Sequence, residues 1–155
     1  RIIKERLQQS LVHEPPVRAV DDIGEVRKKA GFESDGKELG LFQRTGEDYR
    51  IFVLNGLTEP LADETLAHEW GHAWCAEQGN PDHAQWVEEG FCQWLAAQVL
   101  TEKKNERSLK ILASRDDLYG QGYRFIAEID KRGGQAAVFD YIQSPPPPNA
   151  PRKER

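Results

Sequence analysis

The stretch from Leu66 to Trp74 constrains this chain most, because it contains the pattern His-Glu-x-x-His at His68, Glu69 and His72. On an α-helix, residues four apart lie on one face, so the two imidazoles point the same way. Two imidazoles at that spacing can hold one Zn²⁺, and Glu69 is then placed to take a proton from a zinc-bound water. The pattern therefore predicts a helix that carries a zinc site. The alternative is a helix whose two histidines simply lie in the core.

The flanking residues favour a helix around this pattern. Asp63 or Thr65 can cap its start, and the run Gly79-Asn80-Pro81 ends it. The apolar stripe on the face opposite the histidines consists of Leu66, Trp70, Ala73 and Trp74. These features predict an amphipathic helix with the histidines on its polar side.

The composition suits one globular domain with a single core. The chain has 155 residues, of which 38% are hydrophobic and 30% charged, and its formal net charge is −5. This acidic balance carries no basic footprint for nucleic acid, and no apolar run reaches the length of a membrane-spanning helix. The sequence begins at Arg1 and contains no Met, so we expect a piece of a longer protein. A cytoplasmic location is expected, and the oligomeric state is left open.

Two cysteines, Cys75 and Cys92, are too few for a disulfide framework. Cys75 follows His72 by three residues, so it borders the predicted metal face. Cys92 follows Glu89 by three residues. The favoured interpretation is two small buried core residues. A pair that links two helices is the alternative.

Hydrophobic periodicity and turn residues predict the remaining elements. In the N-terminal part they are a helix over 1–11, a strand over 17–20, a helix capped by Asp21 or Asp22 and ending at Ala30, a turn over 33–37, and strands over 39–44 and 49–57 joined by a hairpin loop. In the C-terminal part they are helices over 83–100, 108–113, 119–132 and 135–143, with Gly133 and Gly134 breaking the last two apart.

The order of these elements predicts an α+β fold, with a short N-terminal β-sheet, the His-Glu-x-x-His helix and a mainly helical C-terminal half. Residues 1–144 form a single domain in this interpretation. The Pro-rich tail over 145–155 is expected to be extended or disordered.

A catalytic zinc commonly takes three protein ligands and leaves one position for water. The helix after the histidines offers Glu88 and Glu89, followed by Gly90. Either carboxylate can reach the metal if the two helices pack antiparallel. Periodicity does not separate the two glutamates, because this helix has no clear polar face.

The run from Trp86 to Gly90, one helix after His-Glu-x-x-His, resembles the gluzincin zinc metallopeptidases. The resemblance implies a small zincin-like domain in which Glu89, directly before Gly90, is the third ligand beside His68 and His72. Members of that clan often carry an acidic residue one turn later, which orients a zinc histidine. Gln93 stands at that place here, so this supporting contact must differ.

Four segments read together resemble the peptidase domain of the ubiquitin-activated plant LIM-domain proteins that restrict organ size, the DA-one family. They are 49–57, 66–74, 87–93 and 119–124, and the likeness extends over about 17–143. The resemblance implies that Tyr119, with Tyr123 in reserve, donates a hydrogen bond to the oxyanion; two packing tyrosines are the alternative. The fragment shows no Cys-rich LIM module and no ubiquitin-binding helix, so ubiquitin is a partner by family resemblance only.

The leading hypothesis is therefore a peptidase with one Zn²⁺ that hydrolyses peptide bonds in protein substrates, with Glu69 as general base and Tyr119 as the oxyanion donor. A zinc-bound protein-interaction module without turnover is the alternative. We further predict that the strand over 51–55 is a sheet edge on which an extended substrate pairs. The alternative for that strand is a place inside the sheet, with both edges paired.

Overall fold

The computed structural model describes residues 2–31 and 38–154, and the predicted turn over 33–37 lies outside the described residues. Three strands and six helices are assigned within them. Their order is α1 (Ile2–Leu7), β1 (Val17–Val20), α2 (Ile23–Lys29), β2 (Gly40–Thr45), β3 (Asp48–Leu54), α3 (Glu59–Gln78), α4 (Gln85–Glu102), α5 (Glu106–Ala113) and α6 (Leu118–Gln143). The fold is α+β and mainly helical, as predicted.

The sheet has the strand order β1-β3-β2, with β1 parallel and β2 antiparallel to the central strand β3. A tight turn at Gly46, where φ is +63°, joins β2 to β3. The most apolar run of the chain forms β3, and Ile51 in it is fully buried. Both edges of β3 are paired, so the prediction that residues 51–55 form a free sheet edge is wrong. The short strand β1 takes up that edge, and β2 is the edge strand next to α3.

Helix α4 is the centre of the molecule, as its apolar sequence on nearly every side predicts. It packs between α3 and α6, and its fully buried side chains include Val87, Phe91, Cys92, Leu95 and Leu100. Helices α4 and α6 approach so closely that a Cβ on Gly90 would lie 2.1 Å from the backbone carbon of Gly122. This close crossing brings the start of α6 to the face of α4 that carries the glutamates.

Helix α3 begins earlier than predicted. Its N-cap is Thr58, and Pro60 occupies the first turn, where a ring-fixed φ suits a helix start. Asp63 and Thr65 lie inside the helix, so the predicted caps at these two residues are wrong. The helix ends at Gly79, as predicted.

Several other helix boundaries agree with the sequence. Asp22 caps α2 by accepting a hydrogen bond from the Glu25 N–H at 3.2 Å. In α6 the backbone at Gly134 is non-helical, with φ +81°, which places a kink at the predicted break. Helix α1 ends at Leu7 rather than at residue 11, because Gln8 adopts a positive φ of 55°.

Residues after α6 return to the loop that precedes α4. The backbone N–H of Lys153 donates to the Asp82 carbonyl at 2.8 Å, and Arg152 forms a β-bridge with His83. The division of the chain at residue 144 stays a prediction. Among the described residues, no helix is both long and apolar enough to cross a membrane.

Candidate metal centre

The two histidines of the pattern lie one turn apart on α3, and both face α4. Their ring centroids are 5.0 Å apart. The Nε2 atom of His68 lies 2.9 Å from Oε2 of Glu89, and Nε2 of His72 lies 3.3 Å from Oε1 of the same carboxylate. The structure therefore brings together the three residues predicted as metal ligands.

The other nitrogen of each imidazole is held by a different side chain of α4. Nδ1 of His68 lies 2.7 Å from Oε1 of Gln93, and Nδ1 of His72 lies 2.8 Å from Oε2 of Glu88. Each of these oxygens accepts a hydrogen bond when Nδ1 carries the proton, which leaves the Nε2 lone pair available for a metal. Glu88 and Glu89 therefore occupy distinct places, a distinction that the sequence periodicity did not reveal.

Neighbouring charged groups strongly affect the pKa values of Glu89 and His72 at this junction of α3 and α4. Burial opposes ionisation of Glu89, but contacts with His68 and His72 outweigh it and lower the pKa of the carboxyl to about 2. Burial opposes protonation of His72, while Glu88 and Glu89 outweigh it and raise the imidazole pKa well above 6.5. Without a metal, a protonated His72 therefore neutralises the ionised Glu89.

One polar atom at the junction lacks a hydrogen bond. Oε2 of Glu89 is buried and has no hydrogen-bond donor among the described residues. The Nε2 atom of His68 lies 2.9 Å away, but it has no proton to donate when that ring carries its proton on Nδ1, which faces Gln93. A buried carboxylate oxygen facing two Nε2 atoms is a donor set that suits Zn²⁺.

Cys92 offers a competing third donor. One donor atom from each of His68, His72 and Cys92 lies within 4.8 Å of the other two. The sulfur, however, packs against the backbone of α3, because a Cβ on Gly71 would lie 2.8 Å from Sγ. Burial and the neighbouring Cys75 raise the pKa of the Cys92 thiol well above 9. We therefore favour the ionised Glu89 as the third donor.

Both cysteines are free thiols, so the predicted alternative of a linked pair is not formed in this structure. Cys92 is fully buried, whereas Cys75 is partly exposed. The sequence interpretation of two buried core residues therefore holds for Cys92 alone.

Glu69 lies beside the histidines with its carboxyl turned to the sheet. It is 9% exposed, and the backbone N–H of Phe42 in β2 donates to its carboxylate. Burial raises the pKa of Glu69, and the two histidines counteract part of that rise. A carboxylate whose pKa is raised toward neutrality is suited to general base chemistry.

Gly40 makes this arrangement sterically feasible, and the sequence analysis did not single it out. A Cβ at this position would lie 2.5 Å from Cγ2 of Thr65 and 3.0 Å from Cγ of Glu69. The edge strand β2 can therefore lie against α3 only because residue 40 has no side chain. A glycine at the start of a predicted strand was the available signal.

Tyr119 lies at the start of α6, across from the histidines. Its ring centroid is 5.8 Å from that of His68, and the residue is 38% exposed. Partial burial and the charge of Glu89 raise the pKa of its hydroxyl, so it stays protonated and able to donate. Tyr123 packs against the hydrophobic core instead.

A cavity of about 510 Å³ lies beside part of the candidate centre. Its lining includes His68, Glu69 and Tyr119 together with Gly40 and Arg115. A larger cavity of about 630 Å³ lies near α1, and none of the five predicted site residues lines it. The smaller cavity is lined by three of those five residues, namely His68, Glu69 and Tyr119.

Fold and site together define an α+β protein in which a His-Glu-x-x-His helix faces a glutamate on the following helix. Residues 11–114, most of the chain, match the family model DA1-like, described as Protein DA1. The chain belongs to this family, which confirms the resemblance seen in the sequence.

A stretch of 46 residues is 48% identical to Protein DA1-related 1 of Arabidopsis thaliana. That alignment covers 30% of this chain and 8% of the length of the relative. No solved structure matches the chain.

Proposed function

We propose that this chain is a zinc-dependent peptidase domain that hydrolyses peptide bonds in protein substrates. The observation that supports this most is that the Nε2 atoms of His68 and His72 both lie within 3.3 Å of a carboxylate oxygen of Glu89. Glu69 and Tyr119 line one cavity beside that point. Membership of the DA1-like family agrees with the proposal.

His68, His72 and Glu89 would hold the ion. A Zn²⁺ there supplies Lewis acidity, which acidifies water and polarises the scissile carbonyl. Gln93 and Glu88 hold the two imidazole rings through Nδ1. This support fixes the tautomer and the direction of each ligand lone pair.

Glu69 handles the proton in this proposal. The Phe42 N–H holds the carboxylate, which limits its rotation and keeps it next to the histidines. The carboxylate accepts a proton from the attacking water and passes it to the leaving amine nitrogen. The Tyr119 hydroxyl donates to the carbonyl oxygen as negative charge develops on it.

The substrate would lie along β2 rather than along residues 51–55. The Leu54 N–H donates to the Leu39 carbonyl, so by alternation the backbone groups of Gly40 and the carbonyl of Phe42 point to the outer edge of the sheet, where the Phe42 N–H already donates to Glu69. An extended peptide can pair with such an edge, and flexible segments should be cut in preference to folded ones. Activation by ubiquitin and a cytoplasmic place of action are part of this proposal, and nucleic acid and membranes are not.

The decisive test compares the wild type with Glu69→Gln, which keeps the shape of the side chain but removes the base. Both proteins are assayed on denatured casein, with and without ubiquitin, and their zinc content is measured. We expect zinc content near wild type and activity reduced by at least ~100-fold. Zinc binding without turnover in the wild type, with or without ubiquitin, would support the interaction module instead.

A further inference from the structure

The segment between α5 and α6 places Arg115 against the ring of Tyr119. We call the arrangement of Arg115, Asp117 and Tyr119 the clasp. Cζ of Arg115 lies 4.7 Å from the centroid of that ring, which is a cation–π distance. The ring of His68 lies at 5.8 Å. We propose that Arg115 is a positioning residue that holds Tyr119 at the candidate metal centre, an inference that rests on the proposed function.

The side chain of Arg115 is itself held in place by hydrogen bonds. Its Nε donates to both carboxylate oxygens of Asp117, at 3.1 and 3.0 Å, and its Nη2 donates to Oδ2. Asp117 is also the N-cap of α6, because its Oδ1 accepts a hydrogen bond from the Gly120 N–H at 3.1 Å. The helix start and the guanidinium therefore share the carboxylate of Asp117, which ties the position of Arg115 to that of Tyr119, two residues after Asp117.

The backbone of Arg115 is fixed as well. Its carbonyl accepts a hydrogen bond from Nη1 of Arg124 at 2.9 Å. A Cβ on Gly120 would lie only 2.0 Å from that carbonyl oxygen. The turn thus lies directly against the first turn of α6, which leaves the guanidinium little freedom to move away from the ring.

Only an arginine can make both contacts at once. The edge of the planar guanidinium binds the Asp117 carboxylate, while its face lies on the Tyr119 ring. A lysine ammonium cannot offer an edge and a face. The pairing with Asp117 occupies the edge of the guanidinium, so Arg115 acts on the substrate through Tyr119 and not as an anion site of its own.

The kinetic test is a double-mutant cycle of Arg115→Ala and Tyr119→Phe. A lost cation–π contact should lower kcat by roughly 5- to 30-fold with little change in KM. In the Tyr119→Phe background the same substitution should change kcat less than about twofold, because no hydroxyl remains to be aimed. Arg115→Lys should not restore kcat, and Arg132→Ala, on the exposed side of α6, should have no effect.

A second measurement does not depend on turnover. In zinc-loaded protein labelled with 3-fluorotyrosine, the ¹⁹F signal that disappears in Tyr119→Phe belongs to Tyr119. That signal should move toward the position of free fluorotyrosine in Arg115→Ala and in Arg115→Lys, and stay in place in Arg132→Ala. If the wild type is inactive but the Tyr119 signal moves in Arg115→Ala, the proposed function is refuted and the clasp is supported.

An unmoved Tyr119 signal in Arg115→Ala would overturn the inference. Equal losses of kcat in both backgrounds of the cycle would do the same, as would an effect confined to KM.

Discussion

Replacing Glu88 and Glu89 separately by glutamine should separate a metal ligand from the residue that supports one. The two side chains are adjacent on α4, yet Glu89 contacts both Nε2 atoms while Glu88 contacts Nδ1 of His72. Glutamine keeps the size of each side chain and removes its charge. The two variants are therefore matched controls for each other.

The expected losses differ in size. Structural zinc sites with four protein ligands bind the ion with about 10–16 kcal/mol, which gives roughly 2.5–4 kcal/mol for each ligand. Glu89→Gln should therefore weaken zinc binding by about 100- to 1,000-fold. Supporting contacts contribute about 10- to 100-fold, and the 42% exposure of the Glu88 side chain favours the low end. Glu88→Gln should cost about tenfold or less, because the amide oxygen can still accept from Nδ1.

Competition with a fluorescent zinc chelator measures both constants. Both glutamates raise the pKa of His72, so each substitution also reduces proton competition, and titrations at pH 7 and pH 8 separate that contribution. A greater loss in Glu88→Gln than in Glu89→Gln would refute the ligand assignment. Cys92→Ser is the third arm: if it alone abolishes zinc binding, the sulfur is the third donor.

Three further outcomes are expected. Gly40→Ala should lower activity with zinc content retained, because the new methyl group meets Thr65 and Glu69. Adding Thr65→Ser removes the methyl group that lies 2.5 Å away and should recover part of the activity. No recovery in the double variant would contradict this steric account. Zinc affinity should fall about tenfold per pH unit below the raised pKa of His72, since the metal must displace one proton there. Calorimetry in buffers of different ionisation enthalpy should detect that proton. A pH-independent affinity would contradict the charge state assigned to His72. Gly90→Ala should destabilise the fold by about 3 kcal/mol or more in denaturant unfolding, whereas Gly31→Ala, with no atom within 4 Å of its added Cβ but φ +89°, should cost only about 1–2 kcal/mol.

The sequence predicted those parts of the site that depend on one helix or on adjacent elements. His68, Glu69 and His72 follow from helical spacing alone, and α4 was recognisable from an apolar sequence on nearly every side. The distinct places of Glu88 and Glu89 were not recognisable in that way, because they depend on how α4 is rotated about its axis against α3. That rotation is fixed by long-range packing, such as the contact of Gly71 with Cys92 and of Gly90 with Gly122.

The edge strand illustrates the same difference at the level of the sheet. An apolar run such as β3 fits a central strand as well as a half-covered edge, and only the pairing partner decides between them. That partner is β1, a four-residue strand whose residues are mostly exposed, so its own sequence gives little sign of pairing. Once β1 occupies one side of β3, β2 alone remains at the edge beside α3, and Gly40 becomes the residue that lets this edge reach Glu69. The edge along which we propose that the substrate pairs is thus determined by a short, mostly exposed strand on the other side of β3.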